Sequence, residues 1–117
     1  MRRKRAAWHR SAAFGKSSGP RAESAGVLDL VFSAKARRDI VALDRYSTEQ
    51  FGLLQTDTYV EGLEATCELI ATQPGMGTRF DAGRRRFAYG SHVIYYRATE
   101  TRVTILEVRH GRKAPPR

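Results

Sequence analysis

The four residues "PGMG", Pro74 to Gly77, divide the chain into two regimes of hydrophobic spacing. Proline cannot continue a helix, and the glycines permit positive φ, so a helix arriving here has to stop. From Ser33 up to this point apolar residues recur every three or four positions; after it they recur every second position. A chain ordered this way gathers its helices into one layer and most of its strands into another.

Ahead of the helical block, "VLDLVF", Val27 to Phe32, alternates and is rich in strand formers, which predicts a first strand. Ser33 follows at an N-cap position. Ala36, Ile40 and Leu43 then fall at i, i+4 and i+7, so a helix is expected over about Ala34–Ser47, with Lys35, Arg38, Asp39 and Arg45 on its other face. A break around Thr48 to Gly52 leads to a second helix, about Leu54–Thr72, with Tyr59, Leu63, Cys67 and Ile70 on one stripe. So short a connection makes the two helices an antiparallel hairpin. Beyond "PGMG", Arg84–Tyr89 and His92–Arg97 read as strands joined by a tight Gly90-Ser91 turn, "ATET" as the next turn, and Arg102–Arg109 as the last strand. Val103, Ile105 and Val108 are its inward positions. The predicted order is β-α-α-β-β-β, an α+β fold with a helical hairpin packed on a small antiparallel sheet.

Charge is distributed unevenly. Residues 1–26 carry seven basic and one acidic residue among serines, glycines and a proline, a composition that predicts a disordered basic extension preceding one domain over 27–117. Residues 27–78 have net charge −4, and residues 79–117 have net charge +7. A basic face on the second half, and a partner of opposite sign, are therefore expected. A lone cysteine, Cys67, excludes an internal disulfide and any cysteine-based zinc site. No apolar run is long enough for a membrane span. These features fit a cytoplasmic protein with neither metal nor cofactor.

The residues with chemical potential lie in "GRRRFAYGSHVIYYR" and at the C-terminal end. Alternation sends Arg84 and Arg86 to one side of a strand and Arg85 to the other. Tyr95 and Tyr96 likewise oppose each other, so one of them packs under the helices. His92 begins one strand and His110 ends its neighbour, which places both at the same end of the sheet. A ribonuclease would need a proton acceptor, a proton donor and a cation, and histidine, tyrosine and arginine can fill those roles. Charged strand runs also serve simply to keep edges apart. The segment "RHGRK", Arg109 to Lys113, extends past the last apolar position, so its charges are expected to reach a partner.

Four segments carry a family resemblance: "VFSAKARRDIVALDRYSTEQFG", "IATQPGMGTRF", "RRRFAYGSHVIYYR" and "ILEVRHGRKAPP". Together they resemble the ParE branch of the RelE/ParE toxin superfamily, the toxin halves of bacterial type II toxin–antitoxin pairs, over Val27 to Pro116. The resemblance implies the same β-α-α-β-β-β fold. It also implies a toxin that is not an enzyme, that blocks DNA gyrase with its DNA cleaved, and that a ParD-like antitoxin neutralises in a hetero-oligomer. Contact with DNA would then be indirect, through gyrase or the antitoxin. The partner surface is expected to include Arg84, Arg86, Tyr89, His92, Arg97, Arg109, His110, Arg112 and Lys113. The sister branch suggests an alternative, a ribosome-dependent messenger endoribonuclease using Arg86, His92, Tyr96, Arg109 and His110. A third reading is a DNA-binding accessory protein that uses the basic extension and the basic second half.

Overall fold

The computed structural model describes residues 28–113. The basic extension read from residues 1–26 lies outside the described residues. The element order is β1 (Asp29–Phe32), α1 (Ala34–Phe51), α2 (Leu53–Thr72), a 3₁₀ turn (Pro74–Met76), β2 (Thr78–Asp81), β3 (Arg84–Tyr89), β4 (His92–Ala98), β5 (Arg102–His110) and a closing 3₁₀ turn (Gly111–Lys113).

Ser33 starts α1. Its Oγ accepts the Ala36 N–H at 2.9 Å, and its hydroxyl donates to the Leu106 carbonyl of β5 at 2.8 Å. One side chain thus caps the helix and ties it to the sheet. Ala36, Ile40 and Leu43 are the buried residues of α1, the stripe that the spacing predicts. Asp39 departs from its expected place on the solvent face: its carboxylate accepts the Val108 N–H at 3.0 Å. Helix α1 also runs on through Phe51, where a break from Thr48 was expected. Thr48 turns its hydroxyl back to the Asp44 carbonyl at 2.8 Å, so a residue that usually marks a turn is satisfied within the helix. The corner is Gly52 alone, at φ +90°, a conformation that suits glycine.

The five strands lie in the order β1-β5-β4-β3-β2. Strand β2, "TRFD", was not expected; four residues with one aromatic leave little alternation to detect. It pairs antiparallel with β3, with an irregularity between Arg79 and Asp81. The expected antiparallel sheet holds for β2 to β5, but β1 runs parallel to β5, aligning Leu30 with Val103 and Phe32 with Ile105. No local turn joins β1 to its neighbour, so strand direction has no short-range signal there. Between β4 and β5 the register shifts as Tyr95 pairs with Glu107 and Tyr96 with Ile105, which leaves Leu106 as an extra residue in β5.

The helices cover one side of this sheet. Ile40, Leu63, Cys67 and Ile70 meet Ile94, Tyr96, Val103 and Ile105 in a continuous core. Cys67 lies entirely within it, and burial pushes its thiol pKa up. Tyr96, also fully buried, donates its hydroxyl to the Pro74 carbonyl at 2.6 Å and accepts the Gly77 N–H at 2.9 Å. Gly77 is needed for closeness rather than for φ, which is −82°. A Cβ there would meet the Tyr96 hydroxyl and come within 2.8 Å of the Arg86 carbonyl oxygen. The positive φ expected of the "PGMG" glycines is found instead at Gly52, Gly83 and Gly90.

Replacing Tyr96 by Phe removes both bonds while keeping the ring. Urea denaturation should show a loss of about 1–3 kcal/mol, since a buried carbonyl and N–H lose their partner. Ser33→Ala should cost about 1–2 kcal/mol by the same measurement. Losses below about 0.3 kcal/mol in both variants would show that these bonds do not hold the layers together.

Candidate functional site

The sheet separates the expected site residues into two groups. Pairing of Arg86 with Tyr95, and of Tyr95 with Glu107, puts these three on the side away from the helices, with Arg84, Arg97 and Arg109 following by alternation. Pairing of Tyr89 with His92, and of His92 with His110, puts these three on the helix side, at one end of the sheet. The residues expected to share one outward face therefore lie on two opposite sides of the sheet. The ribonuclease set divides as well: Arg86 and Arg109 lie outside, while His92, Tyr96 and His110 lie inside, with Tyr96 inaccessible.

On the outer side, Tyr95 is only 1 % exposed although no helix covers it. Arginines and an aromatic ring take the helix's place. Phe80 meets Tyr95 edge-on at 5.2 Å, and the guanidinium of Arg84 lies 4.9 Å from the Phe80 centroid and 5.8 Å from that of Tyr95. Arg86 sits 4.9 Å from Phe80, and Arg109 5.7 Å from Tyr95. Beneath them Glu107, 8 % exposed, accepts from Arg109 at 3.2 Å and pairs with Lys35 at 3.5 Å and Arg84 at 3.7 Å. Arg84 also grips Asp81, at 2.7 Å from Nη2, and this bond holds the Asp81 carboxyl below its usual pKa. Arg97 is exposed and donates from Nε to the Gly83 carbonyl at 3.2 Å. The middle member of the arginine run, Arg85, turns the other way and donates to the Gly77 carbonyl at 2.6 Å.

On the inner side, the end of the sheet and the tip of the helical hairpin enclose a groove of about 820 Å³. Its apolar walls include Leu43, Tyr46, Phe51 and Leu54, and its polar end is formed by Tyr59, Tyr89, His92 and His110. Leu54 is 80 % exposed, with Tyr46 and Phe51 also open to solvent. Sequence reasoning missed this groove. The available signal was Tyr46, Phe51 and Leu54 themselves, apolar residues placed off the core stripe of each helix.

Tyr59 organises the polar end. Its hydroxyl accepts the Ser91 N–H at 3.0 Å and lies 2.9 Å from His92 Nδ1 and 3.2 Å from the Tyr89 carbonyl. All three contacts are met together when His92 Nδ1 carries a proton and the Tyr59 hydroxyl donates to the carbonyl. Tyr89 reciprocates by donating its hydroxyl to the Tyr59 carbonyl at 2.8 Å, the two rings lying 4.9 Å apart. Gly62 makes room for this, since a Cβ there would collide with the Tyr89 hydroxyl. His92 and His110 meet edge to face at 5.2 Å. Burial, with the His110 charge as a smaller cause, lowers the His92 pKa to about 4. Among the described residues no three His, Cys, Asp or Glu side chains converge as metal ligands.

At the C-terminal end Arg109 and His110 are paired residues of β5, as expected from the last strand and the meeting of His92 with His110, so of "RHGRK" only Gly111 to Lys113 follow the sheet. The Gly111 N–H donates to the Ser91 carbonyl at 2.7 Å, and the Arg112 N–H to His110 Nδ1 at 3.1 Å. Arg112 is exposed; the side chain of Lys113 lies outside what the structure describes.

The architecture, two helices on one side of a five-stranded mixed sheet, is an α+β fold with a counterpart among solved structures. A solved chain titled "Chromosomal ParDE TA system from P. aeruginosa" superposes with a TM-score of 0.65, covering 74 % of this chain and 98 % of that one. At 14 % identity this likeness concerns the fold alone. The family follows from sequence. The pattern of the ParE toxin of the type II toxin–antitoxin system parDE matches residues 30–115. Toxin ParE1 of Caulobacter vibrioides is 42 % identical over 81 residues, 67 % of this chain and 83 % of its own. The chain belongs to the ParE toxin family: it is a ParE-type toxin of a parDE system, and such a system supplies an antitoxin as its partner. No helix among the described residues is long and apolar enough to cross a membrane.

The depressed His92 pKa has a consequence for stability. The unfolded chain, with an ordinary histidine, binds a proton more readily than the fold does between about pH 6.5 and pH 4. His92 therefore contributes stability at neutral pH that is lost as pH falls through that window. His92→Gln should flatten this part of the stability profile relative to the parent chain, measured by urea denaturation from pH 7 to pH 4. Parallel profiles would contradict a buried neutral His92.

Proposed function

We propose that the protein arrests growth by binding DNA gyrase and holding it on cleaved DNA, and that a ParD-like antitoxin blocks this by occupying the toxin's own surface. Family membership supports the target. The observation that carries the surface assignment is the split of the site by the sheet. On this reading the apolar groove is the antitoxin's seat, because a small toxin that travels with a partner covers its exposed Tyr46, Phe51 and Leu54 in that complex. The outer arginine face, with Arg84, Arg86, Arg97 and Arg109, is the surface turned to the gyrase complex. Arg112, exposed directly after β5, is a further cation near the end of the sheet. Both events take place in the cytoplasm, where gyrase and its chromosome are.

The protein catalyses nothing on this reading. The outer cations and the inner histidines lie on opposite sides of the sheet, so one bound phosphodiester cannot meet Arg86 and His92 together. Inhibition then rests on binding, and the antitoxin stabilises the toxin fold by mass action.

Incubation with gyrase, supercoiled plasmid and ATP, followed by detergent and protease, should yield linear DNA only when toxin and gyrase are both present. Prior addition of antitoxin should abolish it. Absence of linear DNA, with messenger cleavage in a parallel translation extract, would replace this reading by the ribonuclease one.

A further inference from the structure

The outer face is built in an unusual way for the solvent side of a sheet. A tyrosine and a carboxylate are buried there beneath cations, where a small protein ordinarily leaves polar side chains in water. Glu107 is the pin: it fixes Arg109 and Arg84, while Phe80 and Tyr95 give the guanidinium planes a shelf to lie on. Arginines held this way have already lost the rotamer freedom that binding an anion would otherwise remove. The patch spans three neighbouring strands, with Arg84 and Arg86 on β3, Arg97 on β4 and Arg109 on β5. Against these four cations the same face sets Asp81 and Glu107, and Asp29 and Arg102, opposite each other at the β1 edge, add one charge of each sign, so it remains positive, on a chain of net charge +9.

We infer that this face contacts the phosphodiester backbone of DNA directly. The inference rests on the proposed function in one respect: a toxin that works on gyrase caught with cleaved DNA docks beside DNA. Two features of the molecule favour DNA over an acidic protein segment. The cations stand on three adjacent strands, with Arg84, Arg86 and Arg109 held against Glu107, Phe80 and Tyr95 and none of the four lining the groove, and the groove on the opposite side already suits a polypeptide. Guanidinium groups also match phosphate oxygens in shape and charge. The contact is independent of sequence, since nothing on the face is arranged to enter a groove and read base edges.

The test uses the full chain, so that residues 1–26 contribute equally throughout. Binding to a fluorescent 30-base-pair duplex is followed by anisotropy from about 50 to 200 mM salt. The outer pair Arg86→Gln and Arg109→Gln is compared with the pair Arg38→Gln and Arg45→Gln, exposed on α1 on the opposite side of the molecule and equal in charge. Circular dichroism and urea denaturation confirm that each variant folds. Loss of two phosphate contacts should weaken binding about tenfold or more and reduce the salt slope by about 2, with little change in the α1 pair. Equal effects of the two pairs would mean that only net charge matters and would overturn the inference. Outer variants that keep duplex binding but lose antitoxin would assign the face to an acidic protein segment and overturn it equally. Gyrase trapping is measured alongside: a parent chain that binds duplex through this face but traps no gyrase defeats the proposed target and leaves the contact standing.

Discussion

Two helices can cover only one side of a five-stranded sheet, and the rest of the structure answers to that limit. The covered side takes the aliphatic side chains of β1, β4 and β5, with Tyr96 as its polar fastening to the turn after α2. The uncovered side has no third layer, so it is finished by side chains of the sheet itself. Phe80 and Tyr95 supply apolar area, arginines cover them, and Glu107 balances the arginines from beneath. A buried carboxylate is costly to desolvate, and it is tolerated here because Arg109, Lys35 and Arg84 surround it. The same side chains that close the fold on that side therefore give the molecule its basic face.

The bulge at Leu106 links this arrangement to the helices. It shifts the register so that Glu107 and Ile105 face opposite sides of the sheet while pairing with successive residues of β4. The irregularity opens backbone groups that helix α1 then satisfies: Ser33 donates to the Leu106 carbonyl, and Asp39 accepts the Val108 N–H. Lys35, one turn before Asp39, bridges to Glu107. The N-terminal turn of α1 and the outer face are thus fixed by one short stretch of β5.

Much of this was legible in the sequence. The stripe Ala36, Ile40, Leu43, the cap at Ser33, the opposition of Tyr95 and Tyr96, and the meeting of His92 with His110 all follow from periodicity and turn length. What escaped depends on contacts far apart in the chain. Strand β2 is too short to show alternation, and the parallel pairing of β1 has no local turn to announce it. Asp39 and Glu107 look like solvated charges until Val108, 69 residues away and beside the bulge, gives Asp39 an N–H to accept. His92, His110 and Tyr89 looked like outward partners of the arginines, because pairing at one sheet end fixes position along the strand but not which side the helices will choose. The groove was invisible for a related reason: an apolar residue off the core stripe has meaning only when the layers are placed.

The central claim is that one small sheet offers its two sides to two different partners. Arginine-directed chemical labelling with phenylglyoxal, read by mass spectrometry, tests it most directly on the toxin alone, the toxin–antitoxin complex and the toxin–gyrase–DNA complex. The account predicts that Arg86 and Arg109 stay reactive when antitoxin fills the groove and become protected in the gyrase–DNA complex. Protection by antitoxin together with full reactivity on gyrase–DNA would contradict it.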